Sequence, residues 1–151
     1  MVALTTVDPT SPMLKIALST AKSQYEFFKN TAEKSEMEDV KALLMYLAES
    51  ESRMIDKIQH MMVTGIVDEL EELNASDDNI PDPTPFHPSR AQTDPRIYVC
   101  NQVLEKSIKT YTFYLKLATR AKSSVISQLF EYLAQLEKHR IDELREICSC
   151  Y

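Results

Sequence analysis

The sequence predicts an all-α fold, a four-helix bundle of two antiparallel helical hairpins, and three observations predict it. The 151 residues include one glycine, Gly65, whereas β-hairpins demand several residues at positive φ. The seven prolines fall into two clusters, Pro9 and Pro12, then Pro81, Pro83, Pro85, Pro88 and Pro95, leaving long stretches without helix breakers. Within those stretches apolar residues recur every three or four positions, the helical period. A chain 44% hydrophobic and 26% charged is expected to fold as one domain over 1–151.

Each element has its own warrant. Ser11-Pro12 reads as an N-cap followed by proline at the first helical position, so helix A is expected over about 12–33, with Leu14, Ala17, Leu18, Ala21, Tyr25, Phe28 and Ala32 on one face. Ser35-Glu-Met-Glu38 has the pattern of a capping box, opening helix B over about 36–63 on a stripe that includes Leu43, Leu47, Met54, Ile55, Ile58, Met61 and Met62. Gly65 stands where a left-handed residue would end that helix. Residues 64–94, acidic at Asp68-Glu-Leu-Glu-Glu72 and then proline-rich, are expected to be a long crossover that lets helices B and C run parallel. Asp94-Pro95 repeats the capping device for helix C, about 95–121, and Ser123 or Ser124 opens helix D, about 124–147. Short A–B and C–D joints imply hairpins.

The single glycine also excludes Walker and dinucleotide-binding loops, which need several. A formal charge of −6 repels phosphate backbones, so nucleic acid is not an expected partner. The N-terminal residues lack a basic and apolar leader, and no run approaches the ~20 apolar residues of a membrane span, so a cytoplasmic protein is expected. Three cysteines are too few and too unevenly placed for a disulfide framework. Cys100 reads as a buried inert thiol, while Cys148-Ser-Cys150 could bind a soft metal or close a strained disulfide. His60, His87 and His139 share no ligand spacing and read as surface or linker residues. Tyr25, Phe27, Phe28, Tyr111, Phe113 and Tyr114 read as core aromatics, and Met54, Met61 and Met62 as gap-filling core residues.

An ungapped internal repeat appears at an offset of 86: residues 23–61 match 109–147, with Tyr25/Tyr111, Phe27/Phe113, Leu43/Leu129, Leu47/Leu133, Glu51/Glu137 and Ile55/Ile141 among the identities. Each half is one hairpin, so a pseudo-twofold arrangement is expected. Glu51 lies inside the apolar stripe between Leu47 and Met54, and Glu137 between Leu133 and Ile141. A carboxylate in such a place must be protonated, paired or metal-bound, because burying it alone costs several kcal/mol.

The phrases Tyr25-Glu-Phe-Phe28, Leu47-Ala-Glu-Ser-Glu51, Tyr111-Thr-Phe-Tyr114 and Leu133-Ala-Gln-Leu-Glu137 resemble the helix signatures of the rubrerythrin family of the ferritin-like superfamily. The resemblance implies a di-iron or di-manganese centre built from one glutamate on each of two helices and a Glu-x-x-His pair on each of the others. Carried over by position, Glu51 and Glu137 are retained. Met54 and Arg140 stand where the histidines are expected, His139 lies one position off, and Ala21 and Ser107 occupy the places of the other two glutamates. Glu26 and Glu105 face elsewhere. No double Cys-x-x-Cys of a rubredoxin module is present.

These substitutions predict a degenerate site that binds no metal, with Glu51 and Glu137 as residual ligand positions in a buried polar network with Ser107, Tyr114 and Arg140. No cofactor and no catalytic residue are then expected. The chain would act as a non-catalytic binding or structural protein, a homodimer or larger homo-oligomer. The alternative is a di-iron oxidoreductase of peroxide or oxygen metabolism or iron handling. A third reading is a small-ligand or thiol-based binding protein using the space that metal would occupy.

Overall fold

The computed structural model describes residues 5–67 and 81–151. Four long helices dominate: α1 (Pro12–Lys34), α2 (Glu38–Thr64), α3 (Pro95–Arg120) and α4 (Ser124–Ser149). The described residues form two compact units, one built on α1 and α2, the other on α3 and α4. In each, a three-residue joint (35–37 or 121–123) turns the chain back, so the two helices pack antiparallel. The acidic run 68–72 lies outside the described residues.

Local chemistry sets most of the ends. The Ser11 hydroxyl accepts from the Met13 N–H at 3.3 Å, the Asp94 carboxylate from the Arg96 N–H at 3.0 Å and the Ser123 hydroxyl from the Ile126 N–H at 3.4 Å, each satisfying an amide at a helix start. The expected capping box at Ser35 does not form. Ser35 is instead the extended residue that ends α1, with its N–H on the Ala32 carbonyl, and it turns onto Met37. Helix α2 therefore opens two residues late, at Glu38, with Met37 at a cap that no side chain closes and with Glu38 and Asp39 in its first turn, where negative charge suits the helix dipole.

In the first unit, Gly65 ends α2 at φ 72°, donating to the Met61 carbonyl. Its own carbonyl accepts from the Val7 N–H at 2.8 Å, and there a short antiparallel ribbon begins: β1 (Thr5–Thr6) pairs with β2 (Ile66–Val67). The glycine scarcity argued against hairpins, but this pairing joins distant segments and needs no tight turn. A Cβ on Gly65 would stand 2.9 Å from the Val7 carbonyl oxygen. Gly65→Ala is therefore expected to cost about 1–3 kcal/mol, from positive φ and this close approach together, read as a lower midpoint in urea denaturation.

The second unit carries a strap, residues 81–94, held on its hairpin. Phe86 is buried, and the Asn101 side chain clamps its backbone, accepting from the N–H at 2.7 Å and donating to the carbonyl at 3.2 Å. The Arg145 guanidinium lies over the Phe86 ring at 5.0 Å and donates to the carbonyls of Thr84, at 2.9 Å, and Asp82. Arg90 donates to the Tyr151 carbonyl at 2.8 Å and to Asp94 at 2.9 Å. In the same unit, Cys100 and Cys148 form a disulfide between α3 and α4. This corrects the reading of Cys100 as a free thiol and of Cys148 as a partner for Cys150: the antiparallel hairpin places Cys100 and Cys148 at mirror positions about its turn. Cys150 is free and exposed.

Hydrogen bonds from the Arg96 guanidinium foremost, with the Arg96 N–H and Arg90, hold the Asp94 carboxyl below its ordinary range. A carboxyl depressed in the folded state contributes stability above its unfolded value, lost as pH falls through the lower folded one. Below about pH 4 the start of α3 is expected to loosen, read as faster amide exchange at Arg96. In Asp94→Asn, which keeps the capping oxygen but not the charge, that acid response disappears.

Candidate functional site

The buried face of α1 runs Leu14, Ala17, Ala21, Gln24, Phe28, Ala32, an apolar seam with one amide in it. Opposite, α2 buries Leu44, Leu47, Ala48, Glu51, Met54 and Ile58. Packing these faces brings Gln24 Nε2 to Glu51 Oε1 at 2.9 Å, with both residues 1% exposed. The Gln24 amide thus donates to a carboxylate held away from water. Sequence reasoning missed Gln24, although a signal existed: it lies three residues after Ala21 and four before Phe28, a polar residue at a seam position.

In the second unit, α4 carries Glu137 and Arg140 three residues apart, on one helical face. Arg140 Nη1 meets Glu137 Oε1 at 2.8 Å, with the side chains 9% and 2% exposed. A charge-assisted bond of this length, shielded from water, offsets much of the cost of burying either ion. On α3, Ser107, Thr110, Tyr111 and Tyr114 are buried on the same stripe as Cys100 and Leu104, and the Tyr114 ring packs on Phe130 with centroids 6.0 Å apart.

The repeat shows how the two units solve the same problem differently. Glu51 and Glu137 correspond, as do Gln24 and Thr110, Ala21 and Ser107, and Met54 and Arg140. In the first unit a neutral amide from the neighbouring helix serves the carboxylate, and methionine occupies the position one turn on. In the second, arginine fills that position and supplies the positive charge itself.

The remaining expected residues fall as follows. Phe28, Tyr111 and Tyr114 are buried, but Phe113 is 40% exposed and Tyr25 and Phe27 are half-buried: Phe113 sits about 100° around α3 from Tyr114, off the buried stripe. Met54 and Met61 are buried and Met62 is half-buried. His60 and His87 are exposed, and His139 pairs at the surface with Glu143 at 2.9 Å. Glu26 is exposed, and Glu105 pairs with Lys109 at 2.9 Å on an outer face.

Two helical hairpins built on one repeated pattern, each burying a glutamate at the corresponding position of its second helix, fit the ferritin-like class of all-α proteins. The chain belongs to the rubrerythrin family, whose family model matches residues 13–148. Its fold class is accordingly the all-α, ferritin-like four-helix one. No curated protein and no solved structure gives a match.

The family's dimetal centre calls for several carboxylates and imidazoles to neutralise two ions and fix their geometry. The residues at those positions here do not fit it. Among the described residues, no three His, Cys, Asp or Glu side chains gather into a group able to hold a metal. Glu51 and Glu137 each already accept from a nitrogen donor, Gln24 and Arg140.

Proposed function

We propose that this rubrerythrin-family chain has exchanged its dimetal centre for a metal-free polar network and works as a non-catalytic binding or structural protein. The observation that carries the reading is the buried Arg140–Glu137 pair: a fixed positive charge stands at a position where the family places a metal-ligating imidazole, and it repels a cation while neutralising the carboxylate. Gln24, on the other unit, completes the replacement at Glu51. Ser107 and Tyr114 are assigned to the same network.

A role exercised through the surface is supported by Met45 and Tyr46, each 48% exposed on α2, beside a shallow cleft of about 480 Å³ that Tyr25, Lys29 and Glu49 also line. A homodimer or larger homo-oligomer is the expected assembly. Among the described residues, no helix is long and apolar enough to cross a membrane. The cytoplasmic expectation now carries a condition, because in a reducing compartment disulfides are chiefly transient, redox-active bonds.

Metal content decides between this reading and a di-iron oxidoreductase. After anaerobic loading with excess Fe(II) or Mn(II) and desalting, the expected result is well under one metal per chain, with a melting temperature that a chelator does not change. Two metals per chain would restore the oxidoreductase reading.

A further inference from the structure

All three cysteines lie at one end of the α3–α4 hairpin. Cys100 and Cys148 are joined and 1% and 0% exposed, so a dissolved thiol has no direct approach to either sulfur. Cys150 is exposed and free, at the residue that ends α4 and two positions after Cys148. Long bonds hold that end: the Cys150 N–H donates to the Ile147 carbonyl at 3.2 Å and the Tyr151 N–H to the Cys148 carbonyl at 3.3 Å. No glycine or proline caps it; the Cys150 thiol donates to the Glu146 carbonyl at 3.3 Å and Arg90 holds the Tyr151 carbonyl at 2.8 Å, so opening this end releases those contacts together.

We infer that the three cysteines form a thiol–disulfide relay, in which Cys150 exchanges with the buried Cys100–Cys148 bond and so controls the docking of the 81–94 strap. The Cys150 thiol loses its proton to solvent and attacks the Cys148 sulfur. A Cys148–Cys150 bond forms, the Cys100–Cys148 bond breaks, and the Cys100 thiolate leaves and takes up a proton. The number of disulfides is unchanged, so no oxidant or reductant is required. Residues two apart on a helix point about 200° away from each other. The Cys148–Cys150 bond therefore requires the last turn of α4 to unwind, and exchange and unwinding become one event.

The strap is fastened by residues beside these sulfurs. Asn101, next to Cys100, clamps the Phe86 backbone. Arg145, one turn before Cys148, holds the Asp82 and Thr84 carbonyls. Tyr151, next to Cys150, accepts from Arg90, and its ring lies under the Arg96 guanidinium at 5.0 Å. Unwinding the end of α4 removes the Tyr151 attachment first and loosens the Arg145 one. The Cys148–Cys150 bond formed at the exposed end of α4 thus becomes the disulfide that an external dithiol attacks, and the strap the element that responds. This inference is independent of the state of the metal positions.

The test uses the full chain and Cys150→Ser, which alters an exposed side chain and leaves the disulfide in place. Air-oxidised protein is incubated without reductant, quenched with N-ethylmaleimide and mapped by mass spectrometry. Label on Cys100 together with a Cys148–Cys150 bond is expected in the wild type and absent from Cys150→Ser. Reduction by dithiothreitol is expected to be at least tenfold slower in the variant. Equal reduction rates, or no label on Cys100 in the wild type, would overturn the relay. For the strap, oxidised Cys100→Ser, in which only Cys148 and Cys150 can pair, is compared with oxidised Cys150→Ser. Amide exchange at Phe86 and tryptic cleavage after Arg90 are expected to be at least tenfold faster in the former; equal rates would overturn control of the strap.

Discussion

Arg140→Met is expected to lower folding stability by about 3–5 kcal/mol at neutral pH, the usual cost of removing one partner from a buried ion pair. Methionine conserves most of the apolar volume of the arginine stem, and Met54 occupies the corresponding position of the repeat, so a packing defect is not the source of the loss. The source is Glu137, 2% exposed, which loses the guanidinium 2.8 Å away and must then either hold its charge away from water or take up a proton, each at a cost in folding free energy. Glu137→Leu combined with Arg140→Met should recover most of the loss, because an apolar pair of similar volume replaces a buried ion pair at little or no cost. Urea denaturation followed by circular dichroism gives both numbers, and the coupling energy follows from the double-mutant cycle. Arg140→Met within about 1 kcal/mol of wild type would remove the argument that this guanidinium took over charge compensation at a ligand position. Glu51→Gln should cost less than Arg140→Met, because glutamine keeps the shape of the side chain and a carbonyl oxygen that can accept from the Gln24 amide.

The parts of this fold legible in the sequence are those decided within a few residues. Ser11-Pro12, Asp94-Pro95 and Ser123 cap their helices from positions where a short polar side chain or a fixed φ acts on the next turn, and the three helices start where those residues say. The start of α2 is not legible because Ser35 is shared: the residue that must be extended to end α1 cannot also sit at the cap of α2, which lies two residues on at Met37. The β1–β2 ribbon left no trace because backbone groups of segments far apart make it, without a side-chain pattern. Glu51 and Glu137 stood out as charges within apolar stripes, and their burial is what the periodicity implies. Gln24 did not stand out, since one amide on a helix rich in polar residues is noticed only when its seam position is counted. The disulfide needed one step more, the hairpin register. Cys100 lies about as far before the 121–123 joint as Cys148 lies after it, and antiparallel packing brings such mirror positions together.

Removing the disulfide with Cys100→Ala and Cys148→Ala is expected to destabilise the protein by about 2–4 kcal/mol. The bond closes a loop of 48 residues, so in the chain-entropy account its main action is on the unfolded state, whose freedom it restricts. The loop contains the whole 121–123 joint and most of α3 and α4. The bond thus restricts the segment whose native contacts are already local, and a broken bond leaves a hairpin that can still form. The loss should therefore appear as a lower denaturation midpoint with helical content kept, and not as an unfolded chain. Two small buried alanines also leave space where two sulfurs packed, which adds to the cost. Reduction of the wild type by dithiothreitol separates the contributions, because it breaks the cross-link and keeps both sulfurs: its effect should be the smaller of the two. If reduced wild type and the double-alanine protein both melt with the oxidised chain, Cys100–Cys148 contributes nothing to stability.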